Sequence, residues 1–154
     1  MTSIVAAARP DSWDFPLFVH VLGAMVLVGG LLTGASALTF ARGDARFLRL
    51  GYWTLLLVAL PGYIVMRIGA QWIYTKYDAV LPEGSNDPAW VGIGFIVADL
   101  GALLVLIALI VGGIGVRRLR DGKGAGLLKV TMVLAWLVLA AALVAVWAMS
   151  GKPN

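Results

Sequence analysis

Long apolar runs alternate with short charged ones along this chain of 154 residues. Four runs stand out, at about residues 15–40, 50–73, 90–116 and 127–149. A helix needs ~20 apolar residues to cross the ~30 Å hydrocarbon core of a bilayer. Each run therefore predicts a transmembrane helix, with some tilt. An isolated strand would leave its backbone donors and acceptors unpaired in lipid, which favours helices. The pattern predicts an all-α integral membrane four-helix bundle, with residues 1–154 forming a single domain.

The connections between the runs differ in charge. Residues 41–49 carry Arg42, Arg46 and Arg49 against Asp44, and residues 117–126 carry Arg117, Arg118, Arg120 and Lys123 against Asp121. The middle connection, residues 74–89, carries Lys76 against Asp78, Glu83 and Asp87. Basic residues favour the cytoplasmic face. The first and third connections are thus expected inside, and both termini on the outer, periplasmic or extracellular side. Trp13, Trp72, Tyr74, Tyr77, Trp90 and Trp147 fall near the expected outer boundary, and Tyr52 and Trp53 near the inner one. Amphipathic rings favour those layers. Pro82, Gly84, Ser85, Asn86 and Pro88 predict an irregular outer connection. Residues 1–14 lack the basic start and apolar stretch of a cleaved signal, so the first span is expected to direct insertion itself.

Composition agrees with this pattern. Hydrophobic residues make up 61% of the chain and charged residues 13%, against about 25% charged in soluble domains. So few charges cannot cover a water-facing surface. The net charge of +4 is gathered in the connections, which marks topology rather than a nucleic-acid footprint. The chain has no cysteine, and so no disulfide or thiolate metal site.

Small residues and one proline predict how the helices meet. Gly23, Gly29, Gly30 and Gly34 lie on the first helix, and Gly30 to Gly34 form a small-xxx-small pattern. Such patterns let backbones approach closely; packing inside the bundle is expected ahead of dimerisation. Gly92, Gly94, Gly101, Gly112, Gly113 and Gly115 serve the third helix in the same way. Pro61 and Gly62 sit within the second run and predict a helix kink, because proline lacks a donor and collides with the carbonyl of Leu57. Thr33, Ser36 and Thr39 are expected to bond back to helix carbonyls.

Among His, Lys, Arg, Asp and Glu, three side chains lie within the spans away from their ends: His20, Arg67 and Asp99. Such groups are costly in hydrocarbon and point to a structural or functional role. At ~1.5 Å per residue, His20 lies ~7 Å beyond Phe15, Arg67 ~10 Å before Tyr74 and Asp99 ~13 Å beyond Trp90. All three are expected in the outer half of the membrane. His20 shares a stripe with Gly23, Ala24, Leu27, Leu31 and Gly34 and should face a neighbouring helix. Arg67 shares a polar ridge with Tyr63 and Gln71, and Asp99 a stripe with Gly92, Phe95, Leu103 and Leu106. An Arg67–Asp99 ion pair between the second and third helices, with His20 nearby, would satisfy both charges. The pattern thus marks His20, Tyr63, Arg67, Gln71 and Asp99 as a candidate buried polar site. It acts either as a register-fixing pair or as an outward-opening binding or proton-linked site.

The segment FVHVLGAMVLVGGLL at residues 18–32, the Leu60-Pro61-Gly62 of the second run and the basic run from Arg117 to Arg120 resemble an uncharacterised family of small bacterial predicted integral membrane proteins, a domain of unknown function. The first helix is also similar to that of the copper-resistance protein D family and to that of the haem-linked bacterial protoporphyrinogen oxidase. His20 stands where those families carry a histidine. The resemblance implies a bacterial plasma (inner) membrane location; His20, the chain's one histidine, is by its own chemistry a candidate ligand for copper or haem. A second ligand would come from Met25, Met66 or Met149, since haem accepts a His/Met pair and reduced copper favours thioethers.

No nucleophile–base constellation, phosphate loop or paired carboxylate marks a catalytic centre in the spans. The leading expectation is a non-enzymatic membrane module or accessory subunit. It works in the lipid bilayer with a membrane protein partner or as a homo-oligomer, with no nucleic acid and no cofactor favoured. A transporter or permeation component built on His20, Arg67 and Asp99 is the alternative, and a haem- or copper-binding protein the second. The basic cluster at residues 117–123 is first an orientation signal and second an attraction for anionic lipid heads.

Overall fold

A computed structural model describes residues 11–79 and 87–151. Among these residues the secondary structure is entirely helical. After a short 3-10 turn at Asp11–Trp13 come four long helices. They are α1 (Asp14–Phe40), α2 (Ala45–Asp78), α3 (Ala89–Arg118) and α4 (Ala125–Gly151). All four are long and apolar enough to cross a membrane, so the chain is a multi-pass membrane protein. Large apolar side chains such as Met25, Phe40, Leu57, Ile110 and Trp147 stand on the outside, as a hydrocarbon solvent requires.

Helix α2 is longer at both ends than its apolar run. Its first residues, Ala45 to Arg49, were expected to belong to a connection. They are helical because Asp44 caps the helix, its carboxylate accepting the N–H of Arg46 at 2.7 Å. Hydropathy marks only the part of a helix inside the hydrocarbon, so helices continue unseen into the polar layer. The turn before α2 is tight, with Arg42 and Gly43 at positive φ of 45° and 92°. The α3–α4 turn uses Gly122 and Gly124 at φ 67° and 111°. The connection expected to be irregular lies, from Pro82 to Asn86, outside the described residues.

The irregularity predicted at Pro61 takes the form of a π-helical turn over Leu55–Ala59, in which the Leu60 N–H donates to the carbonyl of Leu55. Pro61 cannot donate, and its ring would press on the preceding turn. Widening that turn relieves the conflict without ending the helix.

Helices α1 and α2 run antiparallel with their backbones nearly in contact. Gly23 meets Met66, Leu27 meets Gly62, Gly30 meets Ala59, Gly34 meets Leu55 and Leu38 meets Gly51. A glycine stands on one side or the other of each rung. The small-xxx-small glycines Gly30 and Gly34 are thus used inside the bundle, against α2. Helix α4 packs on both α3 and α1. Its Thr131, fully buried at 0% exposure, rests on Gly112 and reaches the Ala108 carbonyl at 3.2 Å. Trp136 donates from Nε1 to Thr39 Oγ1 at 3.0 Å, joining α4 to α1. Thr39 in turn donates to its own helix at the Ala35 carbonyl, at 2.7 Å. The core between these helices is formed by Leu27, Leu31, Leu55, Val105, Leu128 and Val138.

Candidate functional site

Helix α2 presents two different faces. Its small residues Gly51, Ala59, Gly62 and Gly69 meet α1. Its long side chains Tyr52, Tyr63, Arg67, Tyr74 and Tyr77 span to α3 across a wider seam. Side-chain length therefore sets how far apart each helix pair stands.

Three of the sequence-predicted residues meet in this seam. Tyr63 donates its hydroxyl to the Ala98 carbonyl at 3.0 Å. One turn further, Arg67 Nη2 lies 3.1 Å from Asp99 Oδ1, so the two charges form an ion pair across the helices. The Arg67 guanidinium also stands over the Phe95 ring, 5.0 Å from its centroid, a favourable placement for a cation. Tyr74 packs edge-on against the same Phe95 at 5.0 Å and donates to Asp87 at 2.9 Å. Tyr77 lies beside Trp90 at 6.3 Å.

The other two residues go elsewhere. His20 faces α2 but on the α1 side, against Gly69. Its Nδ1 lies 3.0 Å from the Met66 carbonyl. A carbonyl only accepts, so Nδ1 carries the proton in this bond. No hydrogen bond or ion pair joins His20 to Arg67 or Asp99 among the described residues. Gln71 stands on the exposed face of α2; the ridge that starts with Tyr63 and Arg67 continues at Tyr74 instead.

The pair differs from the expected buried site in one respect. Asp99 is 67% exposed and Arg67 29% exposed. Helix α3 turns Val91, Gly94, Val105, Ala108 and Gly112 inward. That leaves the Asp99 stripe, with Ile96, Leu100, Leu103 and Leu106, on the outside of the bundle. The carboxylate thus sits in an apolar exterior, about a third of the way along α3 from its start. At ~1.5 Å per residue that is ~15 Å from Ala89.

Among the described residues there is no group of three or more His, Cys, Asp or Glu able to hold a metal ion. Of the methionines considered beside His20, Met25 is exposed, Met149 reaches Gly94 on α3, and Met66 offers its carbonyl rather than its sulfur to the imidazole. A cavity of about 10 Å3 lies in the core among Leu31, Leu55, Leu109 and Val138, with apolar walls throughout. A void of that size and lining stays dry.

No family model, curated protein or solved structure matches the chain.

Proposed function

We propose that the chain is a non-enzymatic accessory module of a bacterial inner membrane, which docks a helix of a partner membrane protein over the α2–α3 seam. The observation that carries this reading is the exposure of Asp99. A carboxylate at bilayer depth costs several kcal/mol unless its hydrogen bonds are completed, and Asp99 has one ion-pair partner and an otherwise open surface. A partner helix offering a donor to the free side of Asp99 completes them. The apolar residues around it, Ile96, Leu100 and Leu103, supply the packing surface. The basic turns then lie in the cytoplasm and both termini outside, as the charge bias directs. The dry apolar core favours this reading over conduction through the bundle.

The test is affinity purification of the full chain from its native membrane in mild detergent. The expected result is a stoichiometric membrane protein held by the wild type and lost from Asp99→Asn, with both chains equally helical. If the wild type purifies alone and Asp99→Asn abolishes proton-linked uptake in liposomes, the transport reading replaces this one.

A further inference from the structure

A second feature lies at the opposite end of the same seam. Tyr52 packs against Gly112 and Gly113, which have no side chains to keep its ring away, and this closes α2 onto α3. Just beyond that contact the helices part around a cleft of about 520 Å3. It is lined by Arg49 of α2, by Val116 and Arg117 at the end of α3, and by Arg120 in the 3-10 turn that follows. Three arginines, one on α2, one at the end of α3 and one in the turn after it, therefore line one space. Among the described residues, no carboxylate forms an ion pair with any of them. Asp44, the acidic residue that starts α2, is turned to the backbone of Arg46 instead.

Charge orientation alone explains basic residues in the turns, but not their placement around one cavity. Guanidiniums match phosphate oxygens in geometry and charge. Basic clefts between helices at a membrane surface suit phospholipid heads. The surface below the cleft is apolar. Trp53 lies one turn below Arg49, and Ile114 and Ile110 lie one and two turns below Arg117. All three are exposed. We propose that this cleft binds the phosphodiester of an anionic phospholipid, with Arg49, Arg117 and Arg120 on the phosphate and the acyl chains along Trp53, Ile110 and Ile114.

The experiment is lipid retention by the full chain, measured by native mass spectrometry from micelles doped equally with phosphatidylglycerol and phosphatidylcholine. The wild type is expected to retain phosphatidylglycerol preferentially. The triple variant Arg49→Gln, Arg117→Gln, Arg120→Gln should lose that preference. The charge-matched control Arg46→Gln, Arg118→Gln, Lys123→Gln should keep it. Should the triple variant fail to insert, the single variants decide: Arg49→Gln weakens retention roughly tenfold, as loss of one charge-assisted contact predicts, and Arg46→Gln does not. Inorganic phosphate forms the second arm. Binding of phosphate alone, abolished by the triple variant, with no preference among lipids, would transfer the site to a soluble phosphate and overturn the lipid assignment. Equal retention of phosphatidylglycerol by all variants, or no preference in the wild type, would overturn the site itself.

Discussion

Gly29 and Gly30 are neighbours on α1 at nearly the same depth, yet a single methyl should affect them oppositely. A Cβ at Gly30 would lie 2.7 Å from the backbone nitrogen of Ala59 and 2.9 Å from its Cα. A Cβ at Gly29 meets nothing within 4 Å. Both Gly→Ala changes gain helix propensity, up to about 1 kcal/mol, and this gain cancels in the comparison. What remains is the overpacking at Gly30. The obstacle is helix backbone, which cannot rotate aside as a side chain can. The two helices must separate by roughly 1 Å at that rung, loosening neighbouring rungs too. Overpacking of this kind costs about 1–3 kcal/mol. Gly30→Ala should therefore unfold at lower SDS fraction than Gly29→Ala in mixed micelles, by the equivalent of about 2 kcal/mol. Ellipticity together with Trp fluorescence would follow the transition. Equal midpoints for the two variants would refute the close α1–α2 seam.

Other outcomes follow from single contacts. Replacing Tyr63 by Phe removes the bond to the Ala98 carbonyl and should cost about 0.6 kcal/mol, the usual value for an interhelical bond in a membrane, read by the same unfolding assay. Nitrogen-15 NMR of the chain's one histidine should show neutral His20 protonated at Nδ1; protonation at Nε2 instead would contradict the bond to Met66. A double-mutant cycle on Arg67→Gln and Asp99→Asn should give a coupling of about 1 kcal/mol or more, and additive effects would mean that the pair contributes nothing. Thr131→Leu should destabilise far more than Thr131→Val. The larger side chain has Gly112 directly opposite and no space, since Thr131 is fully buried.

The spans and the ion pair were legible in the sequence for related reasons. An unbroken apolar run has few structural alternatives, and two opposite charges inside such runs have few partners to choose from. The remainder depended on which face each helix turns inward. Helix α3 carries small and large apolar residues on every side, so no periodicity singles out the Val91, Gly94, Val105 and Gly112 face. The exposure of Asp99 followed from that choice and was not visible beforehand. His20 was correctly expected to face a neighbouring helix. Its bond to a backbone carbonyl rather than to Arg67 or Asp99 depends on the α1–α2 register, which the glycine rungs set. Proline at position 61 signalled an irregularity, but whether it would be a bend or a widened turn depends on how the preceding carbonyls are rehoused. Arg49 joins Arg117 and Arg120 only because the Tyr52–glycine contact brings the second and third helices together.

The proposed docking of a partner around Asp99 is tested most directly by a photo-crosslinking amino acid placed at Leu103, on the Asp99 stripe, and at Leu137, exposed on α4. Illumination of the native membrane should give one discrete protein adduct from position 103, absent when Asp99→Asn is added, and only lipid adducts from position 137. Lipid adducts alone from both positions would contradict a partner at the α2–α3 seam.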